Sequence, residues 1–352
     1  MGTMRSLKSA DDLAAAGLIS NDDVSGARAV AERYAIAVTP AMAALIENDP
    51  YDPIARQFIP SPAELRTTPE ERQDPIGDAA HTPVKGIVHR YPDRVLLKAV
   101  HVCPVYCRFC FRREMVGPQG DGMLSADELE AAIAYIQDHK QIWEVILTGG
   151  DPLVLSPRRL SHIMLKLGNI AHVKIIRLHS RVPVVEPKAV DQEMISALNA
   201  SGKTVYLALH ANHPREITQA AREACASLVD AGIMMVSQTV LLRGVNDDPD
   251  VLADLMKIFV ENRIKPYYLH HPDLAPGTSH FRVDIAQGQR IVSALRGRIS
   301  GLCQPTYVLD IPGGNGKAVI AEGAARREGD TYVVSDFRGQ EHSYRDDRDL
   351  AT

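Results

Sequence analysis

Cys103, Cys107 and Cys110 crowd into eight consecutive residues, at spacings of four and three. Three thiolates so placed can wrap a short loop round a cubane iron–sulfur cluster and leave one iron without a protein ligand. An open iron can hold the amino and carboxylate groups of S-adenosylmethionine. Electron transfer into the sulfonium then breaks a C–S bond and yields a 5′-deoxyadenosyl radical. A structural zinc site is the competing reading, but it needs four closed ligands, and apart from His101 no second CxxC or HxxxH accompanies the trio. Cys225 and Cys303 stand apart and read as small buried hydrophobes.

Further along lies Thr148-Gly149-Gly150-Asp151-Pro152. Two glycines let backbone groups approach a ligand closely, and Asp151 adds a charge suited to an amino group. Alone, the motif is also a common strand-to-helix turn. Lys317 follows Pro312-Gly313-Gly314-Asn315-Gly316, a loop with little side-chain bulk. A planar aldehyde cofactor could sit there against the backbone and form an imine with the lysine amine. An exposed lysine in a flexible turn is the alternative. Asp273 follows one apolar run and Asp310 closes another, seven residues before Lys317. His270 and His271 are unsuited to sharing a metal, because adjacent strand residues point to opposite faces.

These residues need a scaffold, and the chain of 352 residues, 45% hydrophobic and 24% charged, is long enough to bury one. Residues 6–57 read as helices, with Asp11, Ser20 and Thr39 at N-cap positions and Pro40 at a first helical position. The Pro-, Asp- and Glu-rich stretch from Ile59 to Thr82 lacks apolar periodicity and reads as an exposed connection. Apolar runs then recur at Val95–Val100, Trp143–Thr148, Val173–Leu178, Thr204–Leu209, Ile233–Val240 and Ile264–Leu269, with helix-length segments between them. Near-continuous apolar strands alternating with helices imply a parallel sheet buried on both faces, open or curled into a partial barrel. Chemistry on such a sheet gathers at the strands' C-terminal ends, where the motifs fall. A short strand at Thr306–Leu309 runs into the glycine-rich turn, and the polar tail from Gly323 onward holds one more at Thr331–Val334.

A formal net charge of −5 gives no electrostatic case for nucleic acid or an anionic membrane. No apolar run approaches the roughly 20 residues of a membrane span. The N-terminus lacks a secretory pattern, and crowded cysteines point to a reduced compartment, so a cytoplasmic location is expected.

The segment Tyr91-Pro-Asp-Arg-Val-Leu running into Cys103…Cys107…Cys110, the Gly-Gly-Asp turn, and Asp310-Ile-Pro-Gly-Gly-Asn-Gly-Lys317 together resemble the lysine 2,3-aminomutase family, from about Val38 to about Val319. The resemblance implies an α/β fold: a radical SAM partial (β/α)6 barrel over residues 83–284, preceded by an N-terminal helical extension (1–82) and followed by a C-terminal segment (285–352) that binds pyridoxal 5′-phosphate. It implies a [4Fe–4S] cluster on Cys103, Cys107 and Cys110, S-adenosylmethionine and pyridoxal phosphate as cofactors, and radical 1,2-amino migration from L-lysine to β-lysine. Lys317 is then the Schiff-base lysine, and Arg94 holds the cofactor phosphate. Arg112 pairs with the substrate α-carboxylate, while Asp273 and Asp310 grip its ε-ammonium. Phe109, Gly149, Gly150, Asp151, His210 and Gln238 are implied as S-adenosylmethionine contacts, although the family often has His where Phe109 stands. An electron donor such as flavodoxin or ferredoxin and a homo-oligomer are expected.

The chain departs from larger members in having Asp248 where they carry a zinc cysteine, and no cysteine after Cys303. The residues leave open whether the product serves catabolism or elongation factor P modification, and whether glutamate or arginine replaces lysine. A radical enzyme that modifies peptide or RNA without pyridoxal phosphate, and a zinc-stabilised binding protein, are the rivals from other classes.

Overall fold

The structure is a computed structural model that describes residues 5–116, 122–321, 323, 325–329, 331–336 and 338–345. Among these, nine strands form one sheet in sequence order: β1 (Ile87–Tyr91), β2 (Arg94–Val100), β3 (Glu144–Gly149), β4 (Ile175–Ser180), β5 (Thr204–His210), β6 (Met234–Val240), β7 (Ile264–His270), β8 (Thr306–Asp310) and β9 (Lys317–Val319). Strands β2 to β8 run parallel, and β1 and β9 close the two edges antiparallel. The six expected parallel strands are present, and the short seventh joins the same sheet. A separate antiparallel sheet holds β10 (Ala325–Glu328), β11 (Thr331–Ser335) and β12 (Glu341–Tyr344), so the single strand expected in the tail has two partners.

The sheet is apolar on its outer face. Val95, Leu97, Val145, Leu147, Ile176, Leu178, Val205, Leu207 and Leu209 all join the main core. The helix Ala126–Asp138 covers them with Leu129, Ile133 and Ile136, and Pro157–Gly168 with Leu160, Ile163 and Leu167. Both helices are N-capped by a serine, Ser125 and Ser156, whose hydroxyls accept backbone N–H groups. On the inner face the alternate positions carry Arg94, Lys98, Thr148, His179, His210, Gln238, His270 and Asp310. The sheet is buried on both faces, as expected, since inner positions such as Lys98, Thr148, His270 and Asp310 are buried too. The curl encloses a polar lumen, because period-two alternation sends every second side chain inward.

The gap between the sheet's two edges is closed by the Pro312–Gly316 loop. The Lys317 amide donates to the Tyr91 hydroxyl at 2.9 Å, and His81 Nε2 lies 3.1 Å from the Gly314 carbonyl oxygen. Gly314 has φ +84°, and a Cβ on Gly77 would meet the Gly314 nitrogen at 2.3 Å, so both positions need glycine for this approach.

Two local expectations are corrected. The first helix, Ala10–Ala15, is capped by Ser9 in a capping box with Asp12, which leaves Asp11 in the first turn. The stretch from Ile59 to Thr82 is exposed over most of residues 65–73 but anchored by buried residues on either side. It carries Glu64 and Asp78, both buried, whose carboxylates receive buried arginines. Apolar periodicity is blind to such a segment because it is held by charge.

Candidate active site

The three cysteines follow β2 on a loop fastened from below. Arg108 donates bidentately to Glu64, at 2.6 Å for its shortest contact, and Arg113 reaches the same carboxylate. Burial pushes the Cys103 thiol well up, helped by the Asp151 charge, and pushes Cys110 up to about 11, helped by Cys107. Crowded thiols that resist ionisation alone become ligands when a cationic metal centre neutralises them. The donor set therefore fits a cluster. Among the described residues no three or more His, Cys, Asp and Glu, these cysteines included, form a group that could hold a single metal ion. His270 and His271 do point apart, His270 to Asp310 and His271 Nδ1 to the Tyr307 hydroxyl at 2.8 Å.

Gly149 and Gly150 end β3 beside the cysteine loop. A Cβ on Gly150 would come within 2.2 Å of the Val102 carbonyl oxygen, so the two loops touch through backbone alone. Asp151 departs from expectation. Its two oxygens accept from Leu153 N, Ser180 Oγ, Arg181 N and Val182 N, at 3.0, 2.8, 2.7 and 3.3 Å. Four internal donors leave it a clamp between the ends of β3 and β4, rather than a free charge for a ligand's amino group. Phe109 stands edge-on to Phe281, with ring centroids 6.0 Å apart, beside a small apolar cluster with Leu242 and Val245.

The lumen ends of β4 to β7 carry buried polar atoms with no protein partner among the described residues: His179 Nε2, His210 Nε2, Gln238 Oε1 and His270 Nε2. His210 and Gln238 are register neighbours on β5 and β6. Burial, reinforced by His270, pushes His210 down to about 3. Burial likewise holds His179 well below its ordinary value and lowers His270. Orphaned polar groups of this kind are explained by a ligand that satisfies them.

Asp310 and Lys317 are cross-strand partners in the β8–β9 hairpin, and Lys317 Nζ donates to Asp310 at 2.6 Å. The seven-residue spacing is thus the length of one glycine-rich turn. Burial works to raise the Asp310 carboxyl, but the His270 hydrogen bond and the Lys317 charge outweigh it and hold it well below the usual carboxylate range. Asp273 is pushed up to about 7 by burial and by the Asp310 charge. Arg94 stacks on the Tyr91 ring at 3.8 Å and pairs with Asp93, so Tyr91 links it to the Lys317 backbone. Arg112 donates to Asp78 at 3.1 Å and lies against Thr148.

Asp78 was invisible in the sequence pattern, and it organises this end of the lumen. Arg90, Lys98 and Arg112 surround it, at 3.2, 3.7 and 3.1 Å. Burial would raise its carboxyl, but Arg112, Lys98 and Arg90 together lower it. Five cations, Arg90, Arg94, Lys98, Arg112 and Lys317, line the region with the acids Asp78 and Asp310 and the raised Asp273. Such a surplus of positive charge fits an anionic phosphate and a carboxylate. Arg181, also missed, emerges from β4 with its guanidinium on Cys107 and Glu216.

Among the described residues no helix is long and apolar enough to cross a membrane. The radical SAM superfamily matches residues 97–256. The L-lysine 2,3-aminomutase of Clostridium subterminale is 39% identical over 323 residues, which cover 91% of this chain and 77% of that one. That of Acetoanaerobium sticklandii is 40% identical, covering 86% of this chain and 73% of that one. A glutamate 2,3-aminomutase of Clostridioides difficile is 36% identical, covering 87% and 72%.

Proposed function

This chain belongs to the lysine 2,3-aminomutase family of radical SAM proteins, and on that premise we propose that it converts L-lysine to β-lysine by 1,2-amino migration. The family implies S-adenosylmethionine, an iron–sulfur cluster and a small amino acid as substrate. When bound, the cluster with S-adenosylmethionine supplies a hydrogen-abstracting radical, and pyridoxal phosphate supplies the π-system across which nitrogen moves.

The residues of the chain bind, orient and shield. Cys103, Cys107 and Cys110 hold the cluster in this reading. Lys317 presents its amine to the pyridoxal aldehyde, and Arg94 lies one aromatic ring away from the lysine's backbone, where a guanidinium suits a phosphate. Arg112, close to the cysteine loop, takes the α-carboxylate. Asp273 and Asp310 take the ε-ammonium, whose desolvation without a carboxylate partner costs several kcal/mol. His210, Gln238, Phe109 and the Gly149-Gly150 backbone supply contacts to S-adenosylmethionine, with Asp151 acting behind them as a clamp. The buried lumen excludes water from the radical steps.

The single observation that carries the lysine assignment is the pair of lumen carboxylates beside Lys317. A glutamate tail would meet Asp310, held ionised, and be repelled. The test is anaerobic incubation of the reduced, cluster-reconstituted chain with pyridoxal phosphate, S-adenosylmethionine and L-lysine, followed by chiral chromatography. Catalytic β-lysine with S-adenosylmethionine conserved supports the assignment. No β-lysine from cluster- and pyridoxal-loaded protein removes it. Residues 83–284 as barrel, an electron donor such as a flavodoxin or ferredoxin, and a homo-oligomer complete the proposal.

A further inference from the structure

Arg181 is 6% exposed and stands at the C-terminal end of β4. Its Nη1 donates to the Cys107 sulfur at 2.9 Å. Its Nη2 donates to Glu216 Oε2 and Gln57 Oε1, each at 2.6 Å. Asp151 accepts from its backbone N–H, and its guanidinium lies 4.6 Å from the Phe58 ring centroid. Gln57 Nε2 in turn donates to Glu216 Oε1 at 3.0 Å, and the Asn212 side chain donates to Gln57 Oε1 at 3.0 Å. A cation is thus held from several sides with one edge of its fork aimed at a single cysteine sulfur. Burying a guanidinium so completely needs compensation, and ordinary packing gives no reason to orient it on a thiol.

We propose that Arg181 is a positioning residue that sets the reduction potential of the iron–sulfur cluster through a charged hydrogen bond to Cys107. The inference rests on the reading that Cys107 ligates the cluster. Reduction adds one negative charge to the cluster, and a buried cation bonded to a ligand sulfur stabilises the more negative state. Hydrogen bonds to the sulfurs and local net charge are the protein's means of moving such potentials. Glu216 opposes the effect by partly neutralising the guanidinium, so the two residues act with opposite sign. Lysine could offer the charge but not the fork that spans sulfur and carboxylate together.

The test is an EPR-monitored redox titration of the full chain, anaerobically reconstituted, as wild type and as Arg181→Gln, Arg181→Lys and Glu216→Gln. At the wild-type midpoint, the ratio of reduced to oxidised cluster should fall about tenfold in Arg181→Gln, which is about 59 mV for one electron. Arg181→Lys should fall between the two, and Glu216→Gln should shift the opposite way. A cluster-replete Arg181→Gln protein with the wild-type midpoint overturns the proposal, as does a shift of both variants in the same direction. Should Arg181→Gln fail to fold, an unchanged or lowered midpoint in Glu216→Gln overturns it alone. A wild-type chain that assembles no cluster removes the parent reading and this one together, whereas loaded protein with unmoved variants removes only this one.

Discussion

Binding of the ε-ammonium should depend on pH through Asp273. Its carboxyl is pushed up to about 7, first by burial and then by the Asp310 charge. An ammonium binds the ionised form and not the neutral one, so affinity is full above about pH 7 and is lost as pH falls below it. With the bound carboxyl returned toward its ordinary value, the dissociation constant scales with one plus the ratio of protonated to ionised Asp273. Between pH 8 and pH 6 that factor grows about tenfold, or about 1.4 kcal/mol. Asp310, held well below the carboxylate range, does not titrate in this window. The assay is calorimetric binding of 6-aminohexanoate to protein free of pyridoxal phosphate, in which Lys317 keeps its ammonium. The ligand carries the ammonium and a carboxylate, and with no aldehyde present its amine forms no imine. Repeating the titration at pH 6 in buffers of different ionisation enthalpy should reveal release of about 0.9 proton per ligand, falling to about 0.1 at pH 8. Asp273→Asn should bind more weakly with no slope. A flat affinity in wild type, or an equal slope in Asp273→Asn, would refute the assignment of this aspartate to the ammonium.

Lys317→Ala should assemble the cluster with normal iron and sulfide yet show no Schiff-base absorbance and no turnover; a visible imine band in the variant would move the cofactor to another lysine. Asp78→Asn should strip the shared counter-charge from Arg90, Lys98 and Arg112, and urea unfolding should show a loss of about 3–5 kcal/mol. A loss under about 1 kcal/mol would mean those cations are satisfied elsewhere. Cys107→Ala should fail to retain a full cluster on reconstitution, read as iron per chain. Gly314→Ala should destabilise by about 1–3 kcal/mol in chemical denaturation, because alanine is strained at φ +84° and its Cβ would come to 2.6 Å from His81 Nε2.

The sequence by itself determined the strand rhythm, because alternating apolar runs need no partner to be recognised. All six expected parallel strands are present, and four end one or two residues later than expected, where Gly149, Ser180, His210 and His270 continue the backbone ladder past the apolar run. It also picked out the cysteine loop and the seven-residue spacing of Asp310 and Lys317, since both lie within short stretches, whereas the ion pair across that turn came from the fold. What tertiary structure decided was the charge arrangement. Asp78 and Glu64 lie in a segment without periodicity, and only the fold brings them under Arg112 and Arg108. Asp151 looked free for a ligand until the end of β4 supplied its donors. Arg181 gave no motif at all, because its partners Cys107, Glu216 and Gln57 are 74, 35 and 124 residues away along the chain. Apolar burial repeats with the period of a strand and is legible residue by residue. Pairing of buried charges depends on contacts between distant segments, and so it appears only when the sheet has curled and its edges have met.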